Sequence, residues 1–157
     1  MQEVMAFDPG KLSVGWATHD DTGLVRCGLV RDETQTGLLR KLRDMRLDLS
    51  TKGIKVIIEV PQVYRERNWR GDPNDLIDET ITVGALVAYT LDSNQVLTRP
   101  HGWKGNVPKD VHNRRIRARL TFEETEVVRA CGAPSSLLHN VIDACGMCLH
   151  SAGRLQR

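Results

Sequence analysis

The run Val56-Ile57-Ile58-Glu59-Val60, closed by Pro61, constrains this chain more than any other segment. An unbroken stretch rich in β-branched residues reads as a strand covered on both faces. Residues 35–50, ahead of it, change to a period near 3.6. Leu38, Leu39, Leu42, Met45, Arg46 and Leu49 follow that spacing, which predicts an amphipathic helix, and Gly53 lies just past its end. A strand reached through a helical crossover runs parallel to an earlier one. The earlier one is Val4-Met5-Ala6-Phe7, a short apolar run that stops at the turn signal Asp8-Pro9-Gly10.

The remaining elements follow from the same reading. Residues 13–18 and 24–30 read as strands on either side of the turn Asp20-Asp21-Thr22-Gly23, which makes an antiparallel meander with the first strand. A helix is expected from Asn74 to Leu91, with Asn74 or Asp75 as its cap, and a fifth strand at 95–98. Residues 100–108 read as a loop, and helices are expected at about 109–120, 122–130 and 135–152. The order predicts an α/β fold: a five-stranded mixed sheet, three antiparallel strands then two parallel ones, flanked by helices. The 157 residues suit one domain over 1–157, and 40% hydrophobic with 27% charged residues is an ordinary globular composition. No run of 18 apolar residues offers a membrane span. Met1-Gln2-Glu3-Val4-Met5 carries an acid and no basic segment, so a signal peptide is not expected and a cytoplasmic protein is.

The four cysteines are Cys27, Cys131, Cys145 and Cys148. Cys145-Gly146-Met147-Cys148 matches C-x-x-C, but a zinc site takes about four ligands and no second pair supplies them. Cys131, His139 and His150 lie near in sequence, so metal or redox use stays open. The small apolar surroundings favour buried thiols.

Three carboxylates fall at sensitive positions. Asp8 ends the first strand, and Glu59 lies inside the fourth between Ile58 and Val60. A charged, unpaired acid in such a run costs several kcal/mol. A divalent cation would stabilise it, and adjacent parallel strands set the two acids side by side. Asp143 lies on an otherwise apolar helix, with His139 four residues and Asn140 three residues before it on the same face. Laid across the sheet, that helix brings its face to the strand acids. Converging carboxylates repel unless a cation is present. Magnesium takes oxygen ligands. Two such ions roughly 3.5–4 Å apart can drive phosphodiester cleavage. Each acid alone also has an ordinary reading: a turn for Asp8-Pro9-Gly10, an edge acid or ion pair for Glu59, a cap or pair for Asp143, and a satisfied helix histidine for His139.

Asp8-Pro9-Gly10, Ser13-Val14-Gly15-Trp16-Ala17, Ile57-Ile58-Glu59-Val60-Pro61 and His139-Asn140-Val141-Ile142-Asp143-Ala144, in this order and spacing, resemble the RuvC-type Holliday-junction resolvases, in particular their compact phage-borne members. The resemblance implies an RNase H-like fold, two Mg2+ ions for which Mn2+ substitutes, and a homodimer that cuts two strands of branched DNA symmetrically, in a bacterial or phage-infected cell. It implies Asp8, Glu59 and Asp143 as the metal-binding acids. Such resolvases carry a further acid or histidine three residues before the last Asp. Here that position is Asn140, with His139 one residue further back. The fourth role is therefore shared between His139 and Asn140, with His139 favoured because imidazole also moves protons near neutral pH.

The net charge is only +2, yet Arg99, Lys104, Lys109, Arg114, Arg115, Arg117 and Arg119 stand against Asp110 alone between 99 and 119. Such a patch suits DNA phosphates, and Trp103-Lys104 would add an aromatic and a cation. The bland alternative is a solvated helix face. Arg65, Arg67, Trp69 and Arg70 follow the Glu59 strand, where Trp69 would stack on an unpaired base or anchor its own loop.

Three other functions compete. One is a related nuclease that processes structured RNA such as ribosomal RNA precursors. Another is a sugar-kinase or actin-like ATPase fragment, whose first phosphate loop Asp8-Pro9-Gly10 also resembles, although no second glycine-rich loop is evident. The last is a non-catalytic binding module, which the three retained acids argue against.

Overall fold

The computed structural model describes residues 3–48, 53–63 and 72–156. Its strands are β1 (Val4–Pro9), β2 (Ser13–His19), β3 (Leu24–Arg31), β4 (Lys55–Glu59) and β5 (Asn94–Thr98). Its helices are α1 (Gln35–Asp48), α2 (Pro73–Tyr89), α3 (Pro100–Trp103), α4 (Lys109–Arg117), α5 (Phe122–Ala130) and α6 (Leu138–Ser151). The strands form one sheet in the order β3-β2-β1-β4-β5. β1 pairs antiparallel with β2, and β2 with β3, while β4 runs parallel to both β1 and β5. The mixed sheet expected from the sequence is the one observed.

Both faces of the sheet are covered, and strand alternation sorts the side chains between them. Met5, Phe7, Val56 and Ile58 join a core with Leu38 and Leu42 of α1 and Val83 and Leu86 of α2. Val4, Ala6 and Ile57 join the opposite core, which holds the buried residues of α6. Two further steps along each strand put Asp8 on the face of Ala6 and Glu59 on the face of Ile57. Both acids therefore lie on the α6 side. Val4 pairs with Lys55 and Phe7 with Ile58, so the next residues in register are Asp8 and Glu59.

Every residue of α6 from Val141 to Leu149 is buried. The helix is enclosed between the sheet and α3–α4, which its apolar and small residues permit. At Gly15 on β2 an added Cβ would lie 2.2 Å from the Asn140 carbonyl oxygen. At Gly146 it would lie 2.5 Å from Ile116 and 2.8 Å from the Trp103 ring. Glycine lets α6 approach both neighbours. Cys145 and Cys148 are fully buried within α6, and the Cys148 thiol reaches the Ala17 carbonyl at 3.6 Å.

Three local expectations change. Residues 100–103, expected as loop, form the one-turn helix α3, which Pro100 begins at a position needing no N–H donor. The cap of α2 is Asp72 instead of Asn74 or Asp75, because Pro73 takes the first helical position and the Asp72 carboxylate accepts from the Asn74 backbone N–H at 2.9 Å. The helix expected over 135–152 starts at Leu138.

Glu124 ties three elements together. It closes a capping box with Thr121 at the start of α5 and accepts from the Leu24 backbone N–H at 2.9 Å. It also receives both terminal nitrogens of Arg154. Burial would raise its carboxyl, but Arg154 and the two backbone donors outweigh that and hold it at about 2, against an ordinary 4.5. A carboxyl depressed in the folded state stabilises above its unfolded value, and that contribution fades as pH falls through the folded one. Glu124→Gln is therefore expected to cost about 3 kcal/mol at pH 7, the scale for breaking a buried ion pair. The deficit should shrink from about pH 4.5 towards 2. Urea midpoints across this range test it, and equal midpoints at pH 7 would refute it.

Candidate metal centre

Asp8 is the next-to-last residue of β1 and Glu59 the last of β4, on neighbouring parallel strands. Asp143 is carried on α6, one turn past the point where Gly15 admits the helix backbone. The exposures of Asp8, Glu59 and Asp143 are 9%, 9% and 4%. The tertiary fold brings together the three acids singled out in the sequence.

Lys104 joins two of them. Its ammonium lies 3.2 Å from Glu59 Oε1 and 2.8 Å from Asp143 Oδ2. Burial works against the charge on Lys104, but Glu59, Asp143 and Asp8 outweigh it and push its pKa upward. Trp103 donates its indole N–H to the other oxygen of Glu59 at 2.6 Å. Both residues come from α3 and its C-terminal edge, directly after β5, at the end of the sheet where β1 and β4 also stop.

The site remains short of positive charge. Burial, then the Glu59 and Asp143 carboxylates, hold the Asp8 carboxyl well above its ordinary range, against the pull of Lys104 and Lys109. Burial also raises Glu59, despite Lys104 and the indole donor. Asp143 Oδ1 is buried with no hydrogen-bond partner. Among the described residues, no three His, Cys, Asp or Glu side chains form a ready cage for one ion. The donor set nevertheless fits a hard divalent cation: carboxylate oxygens, one of them unpartnered, that repel one another without positive charge between them. Asp8, Glu59 and Asp143 are the residues that would hold such an ion.

The two candidates for the fourth position are placed differently. Asn140 gives its side-chain N–H to Ser13 Oγ at 3.1 Å, and its backbone covers Gly15. His139 is half-buried. Burial lowers its pKa, helped by Lys109 and Lys104 and opposed by Asp143, so its ring lies within the field of the cluster.

The expected DNA-facing residues divide. Trp103 is a correction: it is 2% exposed and its N–H is occupied by Glu59, so it is not available to stack on DNA. Lys104 is turned inward to the acids. Lys109, Arg114 and Arg117 are exposed on α4, with Arg114 paired to Asp110 at 3.3 Å. Arg115 is half-buried and donates to the Gln156 carbonyl at 2.6 Å. Arg65, Arg67, Trp69 and Arg70 lie outside the described residues. The inward roles of Trp103 and Lys104 had one sequence signal. A glutamate in an apolar strand needs donors, and an adjacent Trp-Lys pair just past the next parallel strand supplies two.

No family model matches the chain, and no curated protein matches its sequence. Its fold is similar to that of T. thermophilus RuvC solved in complex with a Holliday junction substrate, with a TM-score of 0.55 and 14% identity over 99% of each chain. It is equally similar to a second Thermus thermophilus RuvC structure, with a TM-score of 0.55 and 14% identity over 98% of each chain. No helix among the described residues is long and apolar enough to cross a membrane. The chain has a RuvC-like fold, and where β1 and β4 stop beside α6 it buries three acids, Asp8, Glu59 and Asp143.

Proposed function

We propose that this protein is a magnesium-dependent endonuclease, a crossover junction endodeoxyribonuclease that cuts branched DNA at four-way junctions. One observation carries the reading: in a RuvC-like fold, Asp8, Glu59 and Asp143 gather where β1, β4 and α6 meet, and lack a full complement of positive charge. The similar Thermus protein, solved on a Holliday junction, points to the substrate.

Asp8, Glu59 and Asp143 would hold two Mg2+ ions, with Mn2+ as substitute. Bound there, the ions supply charge stabilisation at the phosphate and acidify water. Trp103 fixes Glu59 in one orientation. Lys104 keeps the acids compensated between catalytic cycles and then offers its ammonium to a phosphate oxygen. His139 takes the fourth position and moves the proton, because an imidazole can both accept and donate a proton and the Asn140 amide cannot. Lys109, Arg114, Arg115 and Arg117 hold the DNA backbone beside the site.

The homodimer has a candidate surface on α2. Ile77, Thr80, Ile81, Gly84 and Ala88 are exposed at helical spacing on one uncharged face, with Ile77 58% and Ile81 46% exposed. A face of this kind packs against its own copy through a two-fold axis.

Matched four-way DNA, linear duplex and structured RNA, each with and without Mg2+, test the proposal. Paired nicks in opposing strands of the junction are expected, only with Mg2+ or Mn2+. Ile81→Asp should sediment as a monomer and lose the pairing of the nicks. Preferential cleavage of RNA would overturn the junction assignment, and a dimeric Ile81→Asp would overturn the α2 surface.

A further inference from the structure

His112 on α4 is 2% exposed, and neither of its ring nitrogens has a hydrogen-bond partner. A buried polar group left unpaired costs roughly 1–3 kcal/mol. Phenylalanine would fill the same place without that cost, so a core role alone does not account for a histidine. The ring meets the Trp103 indole edge-on, with centroids 4.8 Å apart and planes at 70°. That indole holds Glu59. His112 also lines, with Lys104, Lys109 and Asp143, a cavity of about 220 Å³. Asp143, whose Oδ1 is also buried without a partner, lines the same cavity. Two residues with buried, unpartnered polar atoms thus line one cavity beside the acid cluster.

We propose that His112 is a positioning residue for the acid cluster: its ring sets the Trp103 indole that holds Glu59, and a ring nitrogen supports Asp143, which lines the same cavity. The inference rests on the metal-centre reading above. An imidazole ring nitrogen carries an N–H that a carboxylate can accept from, which a phenyl ring lacks. Groups that orient metal ligands from behind typically change metal affinity by about 10–100-fold when removed.

His112→Phe keeps the ring and removes the nitrogens. Its melting temperature should equal or exceed that of the wild type, because an unpaired polar group leaves the core. Mn2+ binding to the full chain, measured by calorimetry without DNA, should weaken roughly tenfold. With junction DNA, kcat should fall and KM stay unchanged. His112→Gln keeps hydrogen-bonding groups, and should bind Mn2+ more tightly than His112→Phe. Equal Mn2+ affinity in wild type and His112→Phe overturns the inference, as does a Gln variant that binds more weakly than the Phe variant. Loss of the fold in His112→Phe also overturns it, since the nitrogens would then serve the core. A wild type that binds no Mn2+ overturns the metal-centre reading and this inference together. Mn2+ binding that Asp8→Asn removes and His112→Phe leaves intact overturns this inference alone.

Discussion

Asp8→Asn is expected to reduce junction cleavage by at least about a thousandfold, or about 4 kcal/mol at the transition state, while junction binding persists. Asparagine preserves the shape of the side chain and keeps one oxygen, but it removes the negative charge that makes Asp8 a strong ligand for a hard cation. The residue is buried near the end of β1, and because asparagine is nearly isosteric the substitution disturbs little beyond the site. Its carboxyl is held high by burial and by Glu59 and Asp143, so its charge is a burden in the metal-free protein. The variant should therefore unfold no earlier than the wild type without metal. Added Mg2+ should raise the melting temperature of the wild type and not that of the variant, because only a protein that binds the ion gains from it. The basic residues exposed on α4 are untouched, which is why binding should survive. Gel-shift and cleavage assays on one junction separate the two effects. Undiminished cleavage by Asp8→Asn would remove the central reading.

Gly15→Ala is expected to cost about 3 kcal/mol or more in stability, at the upper end for overpacking. Gly15 faces Asp8 across the β1–β2 ladder, and its Cα is covered by the first turn of α6. A Cβ there would lie 2.2 Å from the Asn140 oxygen, 2.3 Å from its carbonyl carbon and 2.7 Å from the Val141 nitrogen. All three are backbone atoms, so no side-chain rotation relieves the clash. α6 must lift from the sheet, and α6 carries Asp143 and His139. Stability and metal affinity should fall together, whereas Asp8→Asn separates them. A Gly15→Ala protein with wild-type melting temperature and Mn2+ affinity would show that the helix does not rest on β2 as described.

The features legible in the sequence are those set by short-range periodicity. Alternation along Val4–Asp8 and Val56–Glu59 places both acids on one sheet face, and the apolar run around Asp143 marks a helix buried on nearly all sides. Burial must repeat with the period of the backbone, so a few neighbouring residues are enough to reveal it. The cap of α2 and the turn of α3 were missed because they depend on a single proline each.

The sequence by itself determined the strands, the crossover, the mixed sheet and the three acids as candidates. The tertiary structure alone decided how those acids are held. Trp103 and Lys104 looked like surface residues in a basic stretch, yet they turn inward to a glutamate 44 and 45 residues away. Asn140 looked like a possible fourth ligand, and its side-chain N–H is held by Ser13, 127 residues away. Hydrogen bonds and ion pairs across such separations depend on which elements pack together. No local period encodes that choice, so the partners of a buried charge become visible only when the chain has closed around it.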